Sequence, residues 1–303
     1  MEASLITSVA QIHLKRPVML ASGILGISLD VFNRLYRSGA GAVVSKSLSR
    51  EPWEGYPNPT IFGVNGGGWI NAVGLSNPGA PNFAKMIEAN KDVPIIISLV
   101  GSIPDDFEFM INEFKNCNIV GFELNLSCPH VAKVGLEVGD DPELVKKIVS
   151  TVKKSTNIPV IAKVGLGTTN YLDTVGTAID SGIDAITAIN TIRAIAIDVN
   201  TQRPILSNKF GGLSGTPIKP IALRCVYEIS SKYDIPIIGC GGISSWEDAV
   251  EFFLAGASAI QIGSAIGDRW VDAFQEINNG ILQYMEKKGI SRIKDMVGLA
   301  KKS

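Results

Sequence analysis

The residues best placed for chemistry lie in one segment, ELNLSCPH at positions 123–130. The apolar run over residues 119–126 predicts a short buried strand, and the proline after the cysteine cannot donate to a sheet, so the strand must end near Ser127. Asn125 and Cys128 would then lie at the carboxyl end of the strand and in the loop that follows. A lone cysteine is usually a small buried hydrophobic residue, and that interpretation suits the other three cysteines. For Cys128, the position beside a strand end favours a functional thiol.

Elements of two kinds alternate along the chain and would position this segment. Eight short apolar runs predict strands over residues 17–21, 41–46, 94–100, 119–126, 159–164, 184–190, 235–240 and 258–263. Helical periodicity covers residues 29–38, 105–117, 142–156, 171–181, 220–233, 246–255 and 268–287. Buried strands that alternate with helices predict a parallel (β/α)8 TIM barrel rather than a doubly wound sheet. No composition shift marks a linker, so residues 1–303 are expected to form a single domain.

Two long connections rich in Gly, Pro and Asn interrupt this alternation, over residues 47–81 and 191–219. We expect both to be irregular loops at the carboxyl-terminal face of the strands. The second has the pattern of a small hairpin, with residues 195–198 and 204–207 as its arms. Connections of this length usually shape a functional site.

The residues that close the predicted strands are strongly polar. In a barrel of this type, the carboxyl ends of the strands carry the active site. Each residue has a simple structural explanation when taken alone, but two lysines and two asparagines at the ends of apolar strands together favour a site. The strand-end residues are Ser22, Lys46, Ser98, Asn125, Lys163, Asn190, Gly241, Gly242, Gly263 and Ser264.

Glycine turns after the last two strands predict a phosphate site, because backbone N–H groups there favour an anion. No GxGxxG follows a strand, so a dinucleotide bound in Rossmann fashion is not supported. A mononucleotide fits better. Flavin mononucleotide (FMN) would also explain Lys163, since an ammonium stabilises the negative charge that reduction places on the pyrimidine end of the flavin ring.

The overall composition excludes several other classes of protein. The 28 basic and 29 acidic residues are nearly balanced, and no segment concentrates positive charge for nucleic acid. No apolar run is long enough to span a bilayer, and the first thirty residues do not have the order of a signal peptide, so we expect a soluble, cytoplasmic protein. The four scattered cysteines lack a CxxC pair and the chain has two histidines, which argues against a disulfide framework, an iron–sulfur cluster or a metal centre.

Taken together, the motifs resemble those of the class 1 dihydroorotate dehydrogenases, which are FMN-dependent barrels of pyrimidine biosynthesis. The resemblance extends over essentially the whole chain and is more specific than any single glycine motif. It rests on NAVGLSNPG at 71–79, ELNLSCP at 123–129, Lys163, Asn190-Thr191, GGLSG at 211–215 with IKP at 218–220, GGI at 241–243 and IGS at 262–264.

The resemblance implies a role for each matching residue. Cys128 would be the base that removes a proton from C5 of dihydroorotate while C6 passes a hydride to N5 of FMN. The residues implied to hold the substrate are Lys46, Asn71, Gly74, Leu75, Asn77, Asn125, Asn190 and Thr191. The residues implied to contact FMN are Ser22, Lys46, Ser98, Asn125, Lys163, Gly215, Gly241, Gly242, Gly263 and Ser264. A cationic, polar pocket also suits a cysteine base, because it lowers the thiol pKa.

One departure from the family pattern leaves a second substrate class open. The family usually has asparagine after Cys-Pro, whereas this chain has His130, as do the dihydropyrimidine dehydrogenases that reduce uracil and thymine. The segments 214–216 and 221–224 lean the same way. The segment at 74–79, which would meet the substrate carboxylate, follows the orotate pattern, so dihydroorotate is the first expectation and uracil-type substrates the second. A neutral, hydrogen-bonding role for His130 is at least as reasonable as a catalytic one.

Two other function classes are compatible with parts of the sequence. A non-redox barrel, such as an aldolase, would share the glycine turns and use Lys163 as a Schiff-base amine, but it would not need Cys128 or the asparagines. A non-catalytic scaffold would not need the polar strand ends.

The last expectation concerns how electrons leave the reduced flavin. The chain has neither a dinucleotide fingerprint nor clustered cysteines, and residues 131–141 and 211–220 resemble the NAD-linked subclass B. The resemblance to that subclass implies a homodimer of this chain within a complex, where a subunit that carries FAD and an iron–sulfur cluster passes electrons to NAD.

Overall fold

A computed structural model describes residues 3–64, 66–127, 138–167 and 170–302. Its strands are β1 (Thr7–Val9), β2 (Ile12–Leu14), β3 (Val18–Leu20), β4 (Val43–Val44), β5 (Ile61–Val64), β6 (Gly68–Asn71), β7 (Ile95–Leu99), β8 (Gly121–Asn125), β9 (Val160–Val164), β10 (Ala185–Ala188), β11 (Ile192–Ile195), β12 (Ile197–Asp198), β13 (Arg203–Pro204), β14 (Phe210–Gly215), β15 (Ile237–Cys240) and β16 (Ala259–Ile262). Its helices are α1 (Leu29–Arg37), α2 (Ala80–Ile87), α3 (Pro104–Glu113), α4 (Pro142–Ser155), α5 (Tyr171–Asp180), α6 (Lys219–Lys232), α7 (Trp246–Ala255), α8 (Ala265–Arg269) and α9 (Asp272–Lys288).

Eight parallel strands close into a barrel in the order β3-β4-β7-β8-β9-β10-β15-β16. Each is one of the eight predicted strands, so the predicted (β/α)8 barrel is confirmed. The strands are apolar on both faces because helices cover the outside while side chains fill the inside, and every residue of β7 and β9 is buried.

The interior of the barrel changes from apolar to polar along its axis. Near the amino-terminal end, Met19, Ile96, Ile161 and Ile238 pack against the hairpin formed by β1 and β2, which covers that end. Because side chains of a strand alternate between faces, the next inward residue lies two positions further along. In six strands the interior position of this layer is polar or a thiol: Ser98, Glu123, Lys163, Thr187, Cys240 and Gln261.

Most predicted helices are confirmed, with two corrections. Helix α2 was missed, because Pro81 was taken as the end of a loop although proline is well tolerated in a first helical turn. The single helix predicted over residues 268–287 is instead the pair α8 and α9, which are separated at Trp270, where φ is +53°.

The prediction that both long connections are irregular was wrong. Strands from the two connections pair into a four-stranded sheet in the order β11-β14-β6-β5. The predicted hairpin is present but shorter, as the pairing of β12 with β13. The sheet lies over the carboxyl-terminal face of the barrel beside the end of β10. Among the described residues, no helix is both long and apolar enough to cross a membrane.

Candidate active site

A chain of hydrogen bonds links the carboxyl ends of five barrel strands. Asn190 Nδ2, just after β10, donates to Asn125 Oδ1 at 3.2 Å, and Asn125 Nδ2 at the end of β8 donates to Ser47 Oγ at 3.4 Å. Ser47 Oγ lies 3.0 Å from Ser98 Oγ of β7 and 3.3 Å from Ser22 Oγ, which follows β3. The structure therefore brings together four of the predicted strand-end residues, joined through a serine that the sequence did not single out.

Ser98 lies inside the barrel, near the end of β7. Its side chain is completely buried beneath Ser47. This geometry favours support of Ser47 over direct contact with a cofactor, and the predicted contact remains a prediction.

Ser22, Ser47, Asn125 and Asn190 are together called the rim. Lys46 adds to it a positive charge that has no counter-charge among the described residues. It follows β4 by two positions and adjoins Ser47, and its side chain is partly buried. Among the described residues, its ammonium has neither a carboxylate within 4.0 Å nor a hydrogen-bond partner, and burial lowers its pKa. A buried cation without a counter-charge is costly to the folded protein, so it favours the binding of an anion.

Below the rim, five side chains form a cluster that is closed off from solvent. The carboxylate of Glu123 on β8 accepts hydrogen bonds at Oε2 from Gln261 Nε2 (2.7 Å) and Thr187 Oγ1 (2.9 Å). Lys163 Nζ donates to Gln261 Oε1 at 3.1 Å and lies 3.8 Å from Glu123 Oε1. The thiol of Cys240 also contacts Lys163. Lys163 and Glu123 thus form a buried ion pair, which Gln261 bridges.

The neighbours of Lys163 keep it charged. Burial by itself lowers the pKa of this ammonium, but Cys240 and Glu123 raise it, and the net pKa lies above the ordinary value of 10.5. Burial raises the pKa of the Cys240 thiol, so this group is protonated near neutral pH. The charge that opposes Lys163 near neutral pH is therefore the carboxylate of Glu123.

The loop between β6 and α2 contains a strained turn. Gly74 has φ +74° and Leu75 has φ +60°, a conformation that is uncommon for leucine. Asn77 holds this turn: its Nδ2 donates to Leu75 O at 2.7 Å and to Ser49 Oγ at 2.9 Å, while its Oδ1 accepts from the Gly79 N–H at 2.9 Å. These contacts occupy both amide hydrogens of Asn77, so its geometry favours an indirect role in shaping the loop.

Asn71 and Thr191 lie at strand ends of the four-stranded sheet: Asn71 is the last residue of β6, and Thr191 directly precedes β11. Asn71 Nδ2 donates to Gly212 O of β14 at 3.3 Å. The Thr191 N–H donates to Asn190 Oδ1 at 2.9 Å, which orients the Asn190 amide towards Asn125. Both predicted substrate residues therefore lie where the sheet meets the rim.

The glycine turns form a backbone surface suited to a phosphate. A Cβ on Gly242 would lie 2.7 Å from the Lys219 nitrogen and 2.8 Å from Gly215 O, so only glycine fits between these segments. Among the described residues, the N–H groups of Gly242, Ile243 and Ser264 donate no backbone hydrogen bond, which leaves them available to an anion.

Asp248 fixes the loop after β15 that carries these glycines. Its carboxylate accepts from Lys219 Nζ at 2.7 Å and from the N–H groups of Ser244 (2.8 Å) and Ser245 (2.9 Å). Although burial raises the pKa of Asp248, its hydrogen bonds from Lys219 and Ser244 outweigh that effect, and the pKa lies below 3.8.

These residues fit a flavin mononucleotide. The glycine surface is suited to a phosphate, and Gly263 and Ser264 lie at the adjacent strand end. The ammonium of Lys46 has no counter-charge among the described residues, and the rim offers amide donors and acceptors. Lys163, although paired with Glu123, could supply a second ammonium to the electron-rich end of a flavin ring. The predicted base Cys128 and its neighbour His130 lie outside the described residues.

Sequence reasoning missed Ser47, Glu123, Thr187 and Gln261. The last three were detectable, because each is a polar residue inside a strand that is otherwise apolar on both faces, and a buried polar group needs a partner. For Ser47 the evidence in the sequence was weaker, because it consisted only of its position next to the strand-end residue Lys46.

Comparison with known proteins agrees with this geometry. The fold and the site define an α/β barrel with a polar site at the carboxyl ends of its parallel strands. Residues 4–285 match the family model described as dihydroorotate dehydrogenase. The chain belongs to the dihydroorotate dehydrogenase family, as its motifs predicted, and the oxidoreductase class predicted for it is confirmed.

Three archaeal relatives share most of their length with this chain. A protein of Pyrococcus furiosus is 48% identical over 292 residues, which cover 96% of this chain and 97% of the relative. A protein of Thermococcus kodakarensis is 46% identical over 299 residues, 98% of each chain. One of Methanothermobacter thermautotrophicus is 44% identical over 300 residues, 97% of each chain. All three are named dihydroorotate dehydrogenase B (NAD(+)), catalytic subunit.

Proposed function

We propose that this chain oxidises dihydroorotate to orotate in pyrimidine biosynthesis, with FMN as the bound cofactor and Cys128 as the base. The single observation that carries the proposal is the ammonium of Lys46, which has no counter-charge among the described residues and adjoins Ser47 of the rim, on a chain that belongs to the dihydroorotate dehydrogenase family. The substrate has a carboxylate and two ring amides. A cation next to amide side chains is the complement of that pattern.

Substrate orientation would come from the rim and from the strained turn. We assign the carboxylate to Lys46 and to the backbone N–H groups near Gly74 and Leu75. The ring amides would meet Asn125 and Asn190, whose mutual hydrogen bond fixes the direction of each amide group. Asn71 and Thr191 would close the pocket from the side of the sheet, and Asn77 would act by holding the turn.

Cys128 would remove the proton from C5. It directly follows Ser127, whose N–H donates to Asn125 Oδ1 at 3.2 Å, so the start of its loop is attached to the rim. A thiol serves as a base when its thiolate is accessible, and nearby ammonium groups favour the thiolate. FMN, when bound, supplies the acceptor for the hydride that leaves C6.

FMN would lie with its phosphate against Gly215, Gly242 and Ser264. Lys163, which Glu123 and Gln261 contact inside the barrel, would lie at the pyrimidine end of the ring.

Heat denaturation of the purified protein tests the cofactor. The supernatant should contain FMN in about equimolar amount, and a supernatant with no flavin, or with FAD alone, would refute the assignment.

Binding of orotate against uracil tests the substrate. A charge-assisted hydrogen bond contributes about 1.5–3 kcal/mol, so the carboxylate alone should make orotate bind roughly tenfold to a hundredfold more tightly. Turnover of dihydroorotate with an artificial electron acceptor should accompany this preference. Equal binding of uracil, or turnover of dihydrouracil alone, would refute it. The uracil-type alternative is not favoured, because the family and the named relatives all point to dihydroorotate.

A partner subunit would complete the path of the electrons. The relatives are named as catalytic subunits and as NAD(+)-linked, which supports a complex with a second subunit that passes electrons to NAD. We propose further that the complex is cytoplasmic, that it contains a homodimer of this chain, and that the second subunit carries FAD and an iron–sulfur cluster. The four-stranded sheet and the β12–β13 hairpin expose several large apolar side chains to solvent: Ile61, Ile195, Ile197, Val199 and Phe210. So many exposed apolar side chains are unusual for a surface without a partner. An interface there would cover them.

A further inference from the structure

The buried cluster beneath the rim contains more polar groups than the proposed function has used. Glu123 and Thr187 are completely buried and Gln261 is 1% exposed, so none of them can touch a ligand above the rim. Lys163 is 5% exposed and Cys240 is 9% exposed, so these are the two members of the cluster that are least completely buried. A buried ion pair costs desolvation and seldom stabilises a fold more than apolar packing would, which suggests that this pair serves the site.

The hydrogen bonds of Glu123 leave one of its carboxylate oxygens facing Lys163. Its Oε2 is occupied by Thr187 and Gln261, whereas its Oε1 has no hydrogen-bond partner among the described residues and lies 3.8 Å from Lys163 Nζ. Gln261 cannot reverse its amide group without losing contacts at both ends, since its Nε2 donates to Glu123 while its Oε1 accepts from Lys163. The ammonium is therefore held from below by one bridging amide and one carboxylate.

We propose that Glu123 is a positioning residue for flavin chemistry, which holds Lys163 as an ammonium beneath the pyrimidine end of FMN through every stage of the reaction. This inference rests on the FMN site of the proposed function. It extends that site by one layer into the barrel, to residues that contact neither substrate nor cofactor.

The proposal follows from the charge balance of the cluster. Two titratable groups of the described chain face Lys163: Glu123 from β8 and Cys240 from β15. The thiol is protonated near neutral pH, so removal of the carboxylate would leave Lys163 as a buried cation without a counter-charge. A lysine in that state has a pKa as low as about 5–6 and gives up its proton at neutral pH. Lys163 would then be neutral in the oxidised protein and would take up a proton only when the flavin is reduced.

The pH dependence of the flavin reduction potential measures this difference. If one proton is taken up with the two electrons, the reduction equilibrium of the flavin changes tenfold per pH unit. For a two-electron couple, a tenfold change corresponds to about 30 mV in the reduction potential. In the wild-type holoprotein, where Lys163 already carries its proton, we expect about 30 mV per pH unit between about pH 7 and 9. In Glu123→Gln, which preserves the shape of the side chain, a second proton raises the slope to about 60 mV per pH unit.

Three matched variants isolate the carboxylate as the cause. Thr187→Val removes a hydrogen bond to Glu123 but keeps its charge, and Glu108→Gln removes a carboxylate from the exposed face of α3. Both should keep the wild-type slope. Cys240→Ser, combined with Glu123→Gln, should keep the steeper slope. A wild-type slope in Glu123→Gln, a steep slope in Thr187→Val, or loss of the steep slope with Cys240→Ser would each overturn the inference.

A folding readout keeps the test decisive if Glu123→Gln is insoluble. The double variant Glu123→Gln/Lys163→Met leaves no unpaired buried charge, so it should be recovered folded where the single variant is not. If the double variant also fails to fold, Glu123 supports the core independently of Lys163 and the inference is wrong. Failure of the proposed function looks different, because the wild-type protein would then contain no FMN or its flavin would not be reduced by dihydroorotate.

Discussion

Replacement of Lys46 by methionine should stabilise the protein without substrate and weaken its binding of orotate. Methionine keeps the length and apolar stem of lysine but removes a partly buried ammonium that has no counter-charge among the described residues. Because solvent screens a partly buried charge, we expect this gain to be no more than about 1 kcal/mol, or roughly 2 °C in melting temperature.

With orotate present the order of stability should reverse. Loss of a charge-assisted hydrogen bond of about 1.5–3 kcal/mol weakens binding by roughly tenfold to a hundredfold. At a concentration one hundred times the wild-type Kd, orotate stabilises the wild-type protein by about 2.7 kcal/mol. The same concentration should stabilise the variant by only about 0.4 to 1.4 kcal/mol.

Thermal unfolding of the FMN-loaded proteins with and without orotate is the assay, together with titration of the flavin absorbance by orotate. Lys85→Met on the exposed face of α2 is the matched control and should change neither quantity. The reasoning is refuted if Lys46→Met binds orotate as tightly as the wild-type protein, or if it is less stable in the absence of orotate. If the variant purifies without FMN, the ammonium serves the cofactor instead of the substrate.

Three further predictions concern the base, the electron outlet and the glycine loop. Cys128→Ala should retain FMN and bind orotate, while its flavin is reduced by dihydroorotate about two to four orders of magnitude more slowly in stopped flow; a wild-type rate would exclude the cysteine as base. The purified chain alone should reduce dyes but produce no NADH from dihydroorotate, and steady NADH formation would show that no partner subunit is needed. Asp248→Asn should cost about 1.5–3 kcal/mol in urea unfolding at pH 7, because Asp248 accepts charge-assisted hydrogen bonds from Lys219 and the Ser244 N–H. The folded pKa of Asp248 lies below 3.8, so this stabilisation is present above the unfolded pKa and is lost as the pH falls through the folded pKa. The difference in unfolding free energy between the wild-type protein and Asp248→Asn should therefore shrink below about pH 4. A difference that stays constant with pH would contradict the assignment.

Local patterns were sufficient to predict the barrel and the residues at its strand ends. A strand buried on both faces is apolar at consecutive positions, and the polar residue that ends such a run marks the point where the strand leaves the core. Asn125 is the last residue of β8, Gly241 directly follows β15, and Lys46 follows β4 by two positions. The shared direction of parallel strands then places these residues at one face of the barrel.

The four-stranded sheet β11-β14-β6-β5 was missed because the sequences of its strands give only weak local indications of strand structure. The sequence of β14 is FGGLSG, which has low strand propensity, and this strand forms by pairing with β6 and β11. Its contact with Asn71 spans 141 positions of the chain. Strand propensity depends on neighbours across the sheet, so an isolated glycine-rich segment is indistinguishable from a loop.

By itself, therefore, the sequence determined the alternation of strands and helices, the family motifs and the set of polar residues at the strand ends. Closure of the barrel decided which of those residues meet. Gln261 reaches Glu123 across 138 positions and Lys163 across 98, and no local pattern connects them. The physical reason is that the energy of a buried polar group depends on its partners, and only the tertiary structure brings partners from distant strands within hydrogen-bond distance.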